Sequence, residues 1–299
     1  MNITFGRPRS VPAAQSPYQL YDEVAEAAAD VVIRRYSTSF GVASRLLAAP
    51  VRTHVRNIYA LVRVADEIVD APRPGGDDAA RAALLEELHA ETLRALDTGH
   101  SANLVVHAFA RTARTAGINA TLIAPFFASM AMDLHRTVHD QASFDAYVHG
   151  SAEVIGLMCL RVFLLEHATP EAEYDRLYDG AKALGAAFQK VNFLRDLAAD
   201  HDTLGRSYFP GLDVDAFDTA TRDRLLDDID ADLAVAAAAL GQLPASSRRA
   251  VRAAHALFAD LAHRLRRTSP HAIRTRRVRV PSPRKVQLVA LAFAARGDA

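Results

Sequence analysis

The chain has 299 residues, half of them hydrophobic, which is ample for one large core or two smaller ones. Its 35 Lys and Arg balance 35 Asp and Glu, so bulk charge points to neither a nucleic-acid partner nor an acidic ligand. The single cysteine, Cys159, excludes an intramolecular disulfide and a cysteine-based metal cluster, and fits a reducing, cytoplasmic setting.

No apolar run is long enough to suggest a membrane-spanning helix. Met1 to Pro17 is polar and proline-containing, lacks the pattern of a signal peptide, and reads as a flexible tail before one helical domain over residues 18–296. Alternating β-branched runs are nearly absent and no glycine-rich phosphate or dinucleotide loop occurs. An all-α fold is expected.

Apolar residues at helical spacing predict a first helix over Tyr18 to Tyr36. A second is expected over Val51 to Ala71, stopped by Pro72, Pro74, Gly75 and Gly76. Asp77 and Asp78 offer cap chemistry for a charged surface helix to Leu96. Ala102 to Thr115 reads as a short helix, and Asn119 as the cap of a long one to His139. Ser143 is expected to cap a helix to about His167, and Pro170 to open the next. His201 to Phe217 reads as irregular, followed by helices over about Thr221 to Leu240 and Pro244 to Thr268. A basic segment from Ile273 to Lys285 and a short apolar helix near Val286 to Ala295 close the chain.

Two of these helices carry polar stripes. Gln189, Asn192, Asp196 and Asp200 fall along one helical face, as do Tyr59, Arg63, Asp66 and Asp70. Such stripes face water, pair with cations, or gather a hard metal ion. One stripe alone fits a solvated face, but the second, with an arginine repeated beside it, favours a cation clamp. Mg²⁺ sits typically between one or two carboxylates and substrate phosphates, so two opposed stripes suit a diphosphate. Arg45, Arg63, Arg195, Arg206 and the C-terminal basic residues could take the remaining phosphate oxygens. A di-iron carboxylate bundle would need Glu-x-x-His pairs, and none accompanies the stripes.

The motifs YSTSF (Tyr36 to Phe40), ASRLL (Ala43 to Leu47), YALVRVADEIVD (Tyr59 to Asp70) and YVHGSAEVIG (Tyr147 to Gly156) stand in one order with QKVNFLRDLAAD (Gln189 to Asp200), GRSYFP (Gly205 to Pro210) and RRVRVPSPRK (Arg276 to Lys285). Together they resemble the squalene/phytoene synthase family of head-to-head prenyl transferases, with wording most like its bacterial phytoene synthases. The resemblance implies an all-α isoprenoid synthase fold around an apolar cavity. It implies condensation of two allylic prenyl diphosphates through a cyclopropylcarbinyl diphosphate.

By the same resemblance Asp66, Asp70, Asn192, Asp196 and Asp200 hold Mg²⁺, with Mn²⁺ the alternative ion. Tyr59, Arg63 and Tyr147 fall at catalytic positions, Tyr147 or the released diphosphate being the suspected proton acceptor. Ser37, Ser39, Phe40, Arg45, Gln189, Arg195, Arg206, Tyr208, Arg277 and Lys285 fall at substrate positions. A helix cap is an equal reading for Ser37 and Ser39, and a solvated or lipid-attracted strip for Arg277 and Lys285. Two C20 diphosphates giving phytoene without NADPH is the expected reaction, and C15 condensation to squalene-type products the alternative. A non-catalytic helical binding protein is the rival from another class, expected to have lost these motifs. The eukaryotic squalene synthases' C-terminal anchor is not expected, and transient membrane contact rests only on the tail helix and its arginines. The sequence departs from the family in Glu67, where many members have a second aspartate, and in lacking a tyrosine from Ala253 to Arg267. Met130 and Met132 read as core or pocket wall, and Cys159 as an inert buried thiol.

Overall fold

The computed structural model describes residues 16–37, 44–70 and 77–294, so Ser39 and Phe40 lie outside the described residues. Most of that range is helical, with irregular connections such as residues 205–218 and 276–281. The only pairing of strand type among the described residues is one isolated parallel bridge, Val138 to Ser207.

Local chemistry sets the helix boundaries. Helix α1 (Pro17–Tyr36) begins with a reciprocal capping box between Ser16 and Gln19. Helix α2 (Ala49–Asp70) has one strongly apolar face, and α3 (Asp78–Thr98) starts where Asp77 accepts from the Ala80 amide. Asn103 and Asn119 cap α4 (Leu104–Ala116) and α5 (Ala120–His135).

Helix α5 stops at His135, short of the expected His139, because Arg136 is extended. Helix α6 (Gln141–Val148) is capped by Asp140, which accepts from the Ser143 amide at 2.7 Å, so Ser143 lies inside the first turn instead of at the cap. A π-helical turn (His149–Glu153) joins α6 to α7 (Val154–Phe163), interrupting what the sequence suggested was one plain helix to His167. The Ser129 hydroxyl donates to the carbonyls of Ala146 and Tyr147, at 3.3 and 3.2 Å, near that turn.

Helix α8 (Pro170–Leu204) has 35 residues and extends through His201 to Leu204, which the sequence left irregular. It opens on proline with Glu171 and Glu173 in its first turn, favourable to the helix dipole, and ends at left-handed Gly205 (φ 66°). Helices α9 (Thr219–Leu240), α10 (Ala245–Arg266), α11 (Pro270–Thr275) and α12 (Ser282–Ala294) complete the order.

Helix α8 runs through the middle and packs on α7, α9, α10, α11 and the π turn. One core lies among α2 to α5 and α7, with Ile58, Leu61, Phe109, Phe126, Met130 and Met158 buried. A second lies between α6, α8, α9 and α10 and includes Tyr147, Phe193, Leu226 and Leu265, with Met132 packed against it. Burying each large apolar side chain contributes about 1.5–3 kcal/mol. Helices α2 and α8 thus contribute one side to these cores and retain another for polar work.

Candidate active site

An apolar cavity of about 250 Å³ runs along α8 from Gln189 past Gly185, Leu184, Ala181 and Gly180 to Leu177. Val55 and Val62 of α2, Ile155, Cys159 and Phe163 of α7, Ala236, Ala239 and Leu240 of α9, and Val251 and Ala254 of α10 complete much of the wall. Glycine is required at two wall positions. A Cβ on Gly156 would sit 2.5 Å from the Ala181 carbonyl oxygen, and one on Gly185 would sit 2.5 Å from that of Ala152. The helices flanking the cavity meet there backbone to backbone.

Cys159 lines the wall, and burial pushes its thiol up to about 12, so it stays protonated. At the polar end, the Gln189 amide donates to the Ser151 hydroxyl at 3.3 Å, and both side chains line the cavity.

Beyond Gln189 stand the two stripes. On α2 the Arg63 guanidinium lies 4.6 Å from the centre of the Tyr36 ring and 4.0 Å from Asp66, and it pairs with Glu67. Glu67, which the sequence placed off the stripe, therefore holds the stripe's arginine through its i,i+4 position. Tyr59 shares a side-chain hydrogen bond with Ser37 and is raised chiefly by burial. Burial and the neighbouring Asp70 push Asp66 up to about 7.

On α8, Asp196 receives Arg195 from its own helix and Arg277 from the segment between α11 and α12, the latter at 2.7 Å from Nε and 3.1 Å from Nη2. Asp200 is pushed up to about 7 by burial, then by Asp196 and Asp70. Asp70 of α2 thus acts on Asp200 of α8, as expected of two stripes that approach one another. The buried Asn192 Oδ1 has no hydrogen-bond partner, an open acceptor beside these carboxylates.

Arg206 joins the stripes to a buried hub that the sequence reading did not find. Its Nη1 donates to Asp70 at 2.7 Å and to the Tyr208 hydroxyl at 3.3 Å, while Nη2 donates to the Asp133 carbonyl at 2.9 Å. The Asp133 carboxylate accepts from Tyr147 at 2.6 Å and from Tyr208 at 3.0 Å. Burial pushes Asp133 up to about 6 even with these donors and Arg206 opposing the shift. Burial also raises Tyr147 well above the usual phenol range, with Asp133 adding to the effect. The available signal for Asp133 was a lone carboxylate on the apolar helix that reads ASMAMDLH, too costly to bury unless partnered.

The structure gathers Tyr59, Arg63, Asp66, Asp70, Gln189, Asn192, Arg195, Asp196, Asp200, Arg206 and Arg277 around this polar end. Tyr147 and Tyr208 lie behind it on the hub. Arg45, exposed in the turn before α2, acts on Arg56 together with Arg52 and Arg34. Lys285 lies in the first turn of α12.

The fit to a divalent cation can be tested on these groups. Among the described residues no three His, Cys, Asp or Glu side chains converge tightly enough to hold a metal alone. Two crowded carboxylates pushed to about 7 and an unpartnered amide oxygen are nevertheless donors short of positive charge. That donor set suits Mg²⁺ completed by substrate phosphates.

The family model described as squalene/phytoene synthase matches residues 33–284. A phytoene synthase of Rhodobacter capsulatus is 30% identical over 294 residues, covering 89% of this chain and 81% of that protein. A 15-cis-phytoene synthase of Paracoccus is 28% identical over 266 residues, covering 82% of this chain and 83% of that protein. A presqualene diphosphate synthase of Rhodopseudomonas palustris is 30% identical over 58% of each chain. Among solved structures, a ligand-bound dehydrosqualene synthase matches with a TM-score of 0.76 at 20% identity, over 93% of this chain and 98% of that one. The chain belongs to the squalene/phytoene synthase family, with its isoprenoid synthase fold and its head-to-head prenyl transfer.

Proposed function

From that membership we propose that the enzyme condenses two C20 allylic diphosphates head to head into phytoene, through a cyclopropylcarbinyl diphosphate. The observation that supports the chain length is the reach of the apolar wall on α8. Gln189 and Leu177, at its two ends, stand twelve residues apart, or about 18 Å at the helical rise. A prenyl chain extended at about 1.2 Å per bond spans about 14 Å for C15 and about 19 Å for C20. The diphosphate would sit above Gln189, among the stripes.

Asp66, Asp70, Asn192, Asp196 and Asp200 would hold Mg²⁺ together with diphosphate oxygens. When bound, the metal supplies the positive charge that makes diphosphate a leaving group. Arg63, Arg195 and Arg277 stand at the same rim and would bind oxygens not taken by metal, with Arg206 and Tyr208 behind them on the hub. Below them the cavity wall excludes water, so carbocations along the path meet alkenes and aliphatic carbon instead. The Gln189–Ser151 pair marks the polar boundary.

Tyr147 holds its proton on Asp133, so in this reading it orients the hub, and the departing diphosphate accepts the final proton. The rivals within the family use C15 diphosphates, as the names of the presqualene and dehydrosqualene relatives indicate. Incubation of the purified chain with Mg²⁺ and either C20 or C15 diphosphate, with products read by mass spectrometry, separates them. Phytoene from C20 with little C15 product is expected, and turnover of C15 alone would replace the C20 reading. No condensation of either would favour the non-catalytic binding protein.

A further inference from the structure

The polar ladder of α2 does not end at Tyr59. Arg56 and Arg52 continue it at the same helical spacing, so the stripe is acidic toward Asp70 and cationic toward the start of the helix. Residues 31–65 contain six arginines and no Asp or Glu, in a chain whose overall charge is balanced.

The structure draws four of these arginines together. Asp30 of α1, only 8% exposed, pairs with Arg34 and with Arg56 Nη1 at 2.8 Å, so one carboxylate serves two guanidiniums. Arg52, one turn from Arg56, donates to the Leu47 carbonyl at 2.8 and 3.2 Å and makes no ion pair among the described residues. Arg45 is two residues before Leu47 and has no acceptor among the described residues. The Arg56 Nε is buried and unpartnered. Burial and then Arg52, Arg34 and Arg45 hold the Arg56 guanidinium below its usual range, as expected for like charges forced together.

We propose that Arg34, Arg45, Arg52 and Arg56, at the corner of α1 and α2, form a second anion site that takes a phosphate-type dianion independently of the acidic stripes. Arg56 lies ten residues before Asp66, about 15 Å along the helix, beyond the reach of one diphosphate held at Asp66. Guanidinium forks match phosphate oxygens in pairs, and one dianion would relieve the surplus charge. The occupant is a free phosphate or diphosphate, or the headgroup of an anionic phospholipid. The Leu47 carbonyl held by Arg52 belongs to a residue of the cavity wall, so this corner is one side chain from the prenyl-binding space.

The test uses the full chain without divalent metal at low salt. Calorimetric titration with inorganic diphosphate should show binding that the double variant R34Q/R45Q weakens at least tenfold and that D66N leaves in place. Both arginine side chains reach solvent, so the double variant should fold; circular dichroism checks this, and R45E alone serves as the second variant. In parallel, phosphatidylglycerol and phosphatidylcholine vesicles are sedimented with each protein. Arginine-dependent binding of free diphosphate with no preference for anionic vesicles assigns a soluble phosphate ligand. Arginine-dependent capture by phosphatidylglycerol, with weak diphosphate binding, assigns a lipid headgroup. If neither readout changes in the arginine variants, the site does not exist.

Discussion

On α2, Asp66 stands 4.0 Å from an arginine that is already paired with Glu67, and Asp70 receives one nitrogen of Arg206 at 2.7 Å. On α8, Asp196 is gripped by both Arg195 and Arg277, while Asp200 makes no ion pair among the described residues and is only opposed in its upward shift by Arg206 and Arg195. The two helices use one spacing but differ in where their counter-charges come from. The first stripe is neutralised from within the fold's buried hub, through Arg206. The second is neutralised partly by a residue on an exposed segment, since the Arg277 side chain is about half exposed. Charge on the α2 side is therefore tied to packing, and charge on the α8 side to a rim contact that can be exchanged for a phosphate.

The largest expected break comes from removing a carboxylate from either stripe. D66N and D196N should each lower kcat by roughly two to three orders of magnitude with helix content unchanged by circular dichroism. Retained turnover in either would remove that residue from the metal set. Breaking the hub should act on stability instead: D133A is expected to cost about 3 kcal/mol in chemical denaturation, leaving two buried phenols without their acceptor and Arg206 without the carboxylate 3.6 Å away. Y147F removes one hydrogen bond of that hub and should cost about 1 kcal/mol, with product formation retained if diphosphate accepts the final proton. Accumulation of the cyclopropyl intermediate in Y147F would instead restore the tyrosine as proton acceptor.

The rim contact should behave differently. R277Q is expected to change stability by no more than about 1 kcal/mol, as for exposed ion pairs, while raising KM severalfold. An unchanged KM would separate Arg277 from the substrate. A further effect is on pH dependence. Asp66 and Asp200 are each pushed up to about 7 from 3.8, so the metal-free fold binds more protons than the unfolded chain between those values. Their contribution is fully present below about pH 4 and is lost as pH rises to about 7. Metal-free denaturation midpoints should fall over that window, and Mg²⁺ should flatten the fall by binding the ionised carboxylates.

The sequence showed the α-helical class and both stripes because each has a strict period, and a helix of α8's length preserves phase from Gln189 to Asp200. Caps were legible where a side chain had one obvious amide to serve, as at Asp77 and Asn119. Asp140 and Ser143 were confused because both are capping types three residues apart, and only the fold shows which one accepts. Asp133 escaped because its partners come from α6 and from beyond α8, contacts that no local spacing encodes. The arginine corner escaped for a similar reason: Arg34 and Arg56 meet only through Asp30, a contact that no local spacing encodes.

The π-helical turn at His149–Glu153 sets a rotational offset within a continuous rod. On one side of it Tyr147 addresses the buried carboxylate hub; within it Ser151 and Ala152, and beyond it Ile155 and Cys159, line the cavity. A turn of this kind holds one residue more than an α-helical turn would need. Excising a single residue there would rewind α6 by about 100° against α7, the angular step of one residue. The phenol would leave Asp133 while every cavity residue of α7 stayed where it is. That one surplus residue works as a phase-setting pin between an electrostatic device and an oily mould, letting each be aimed without re-aiming the other.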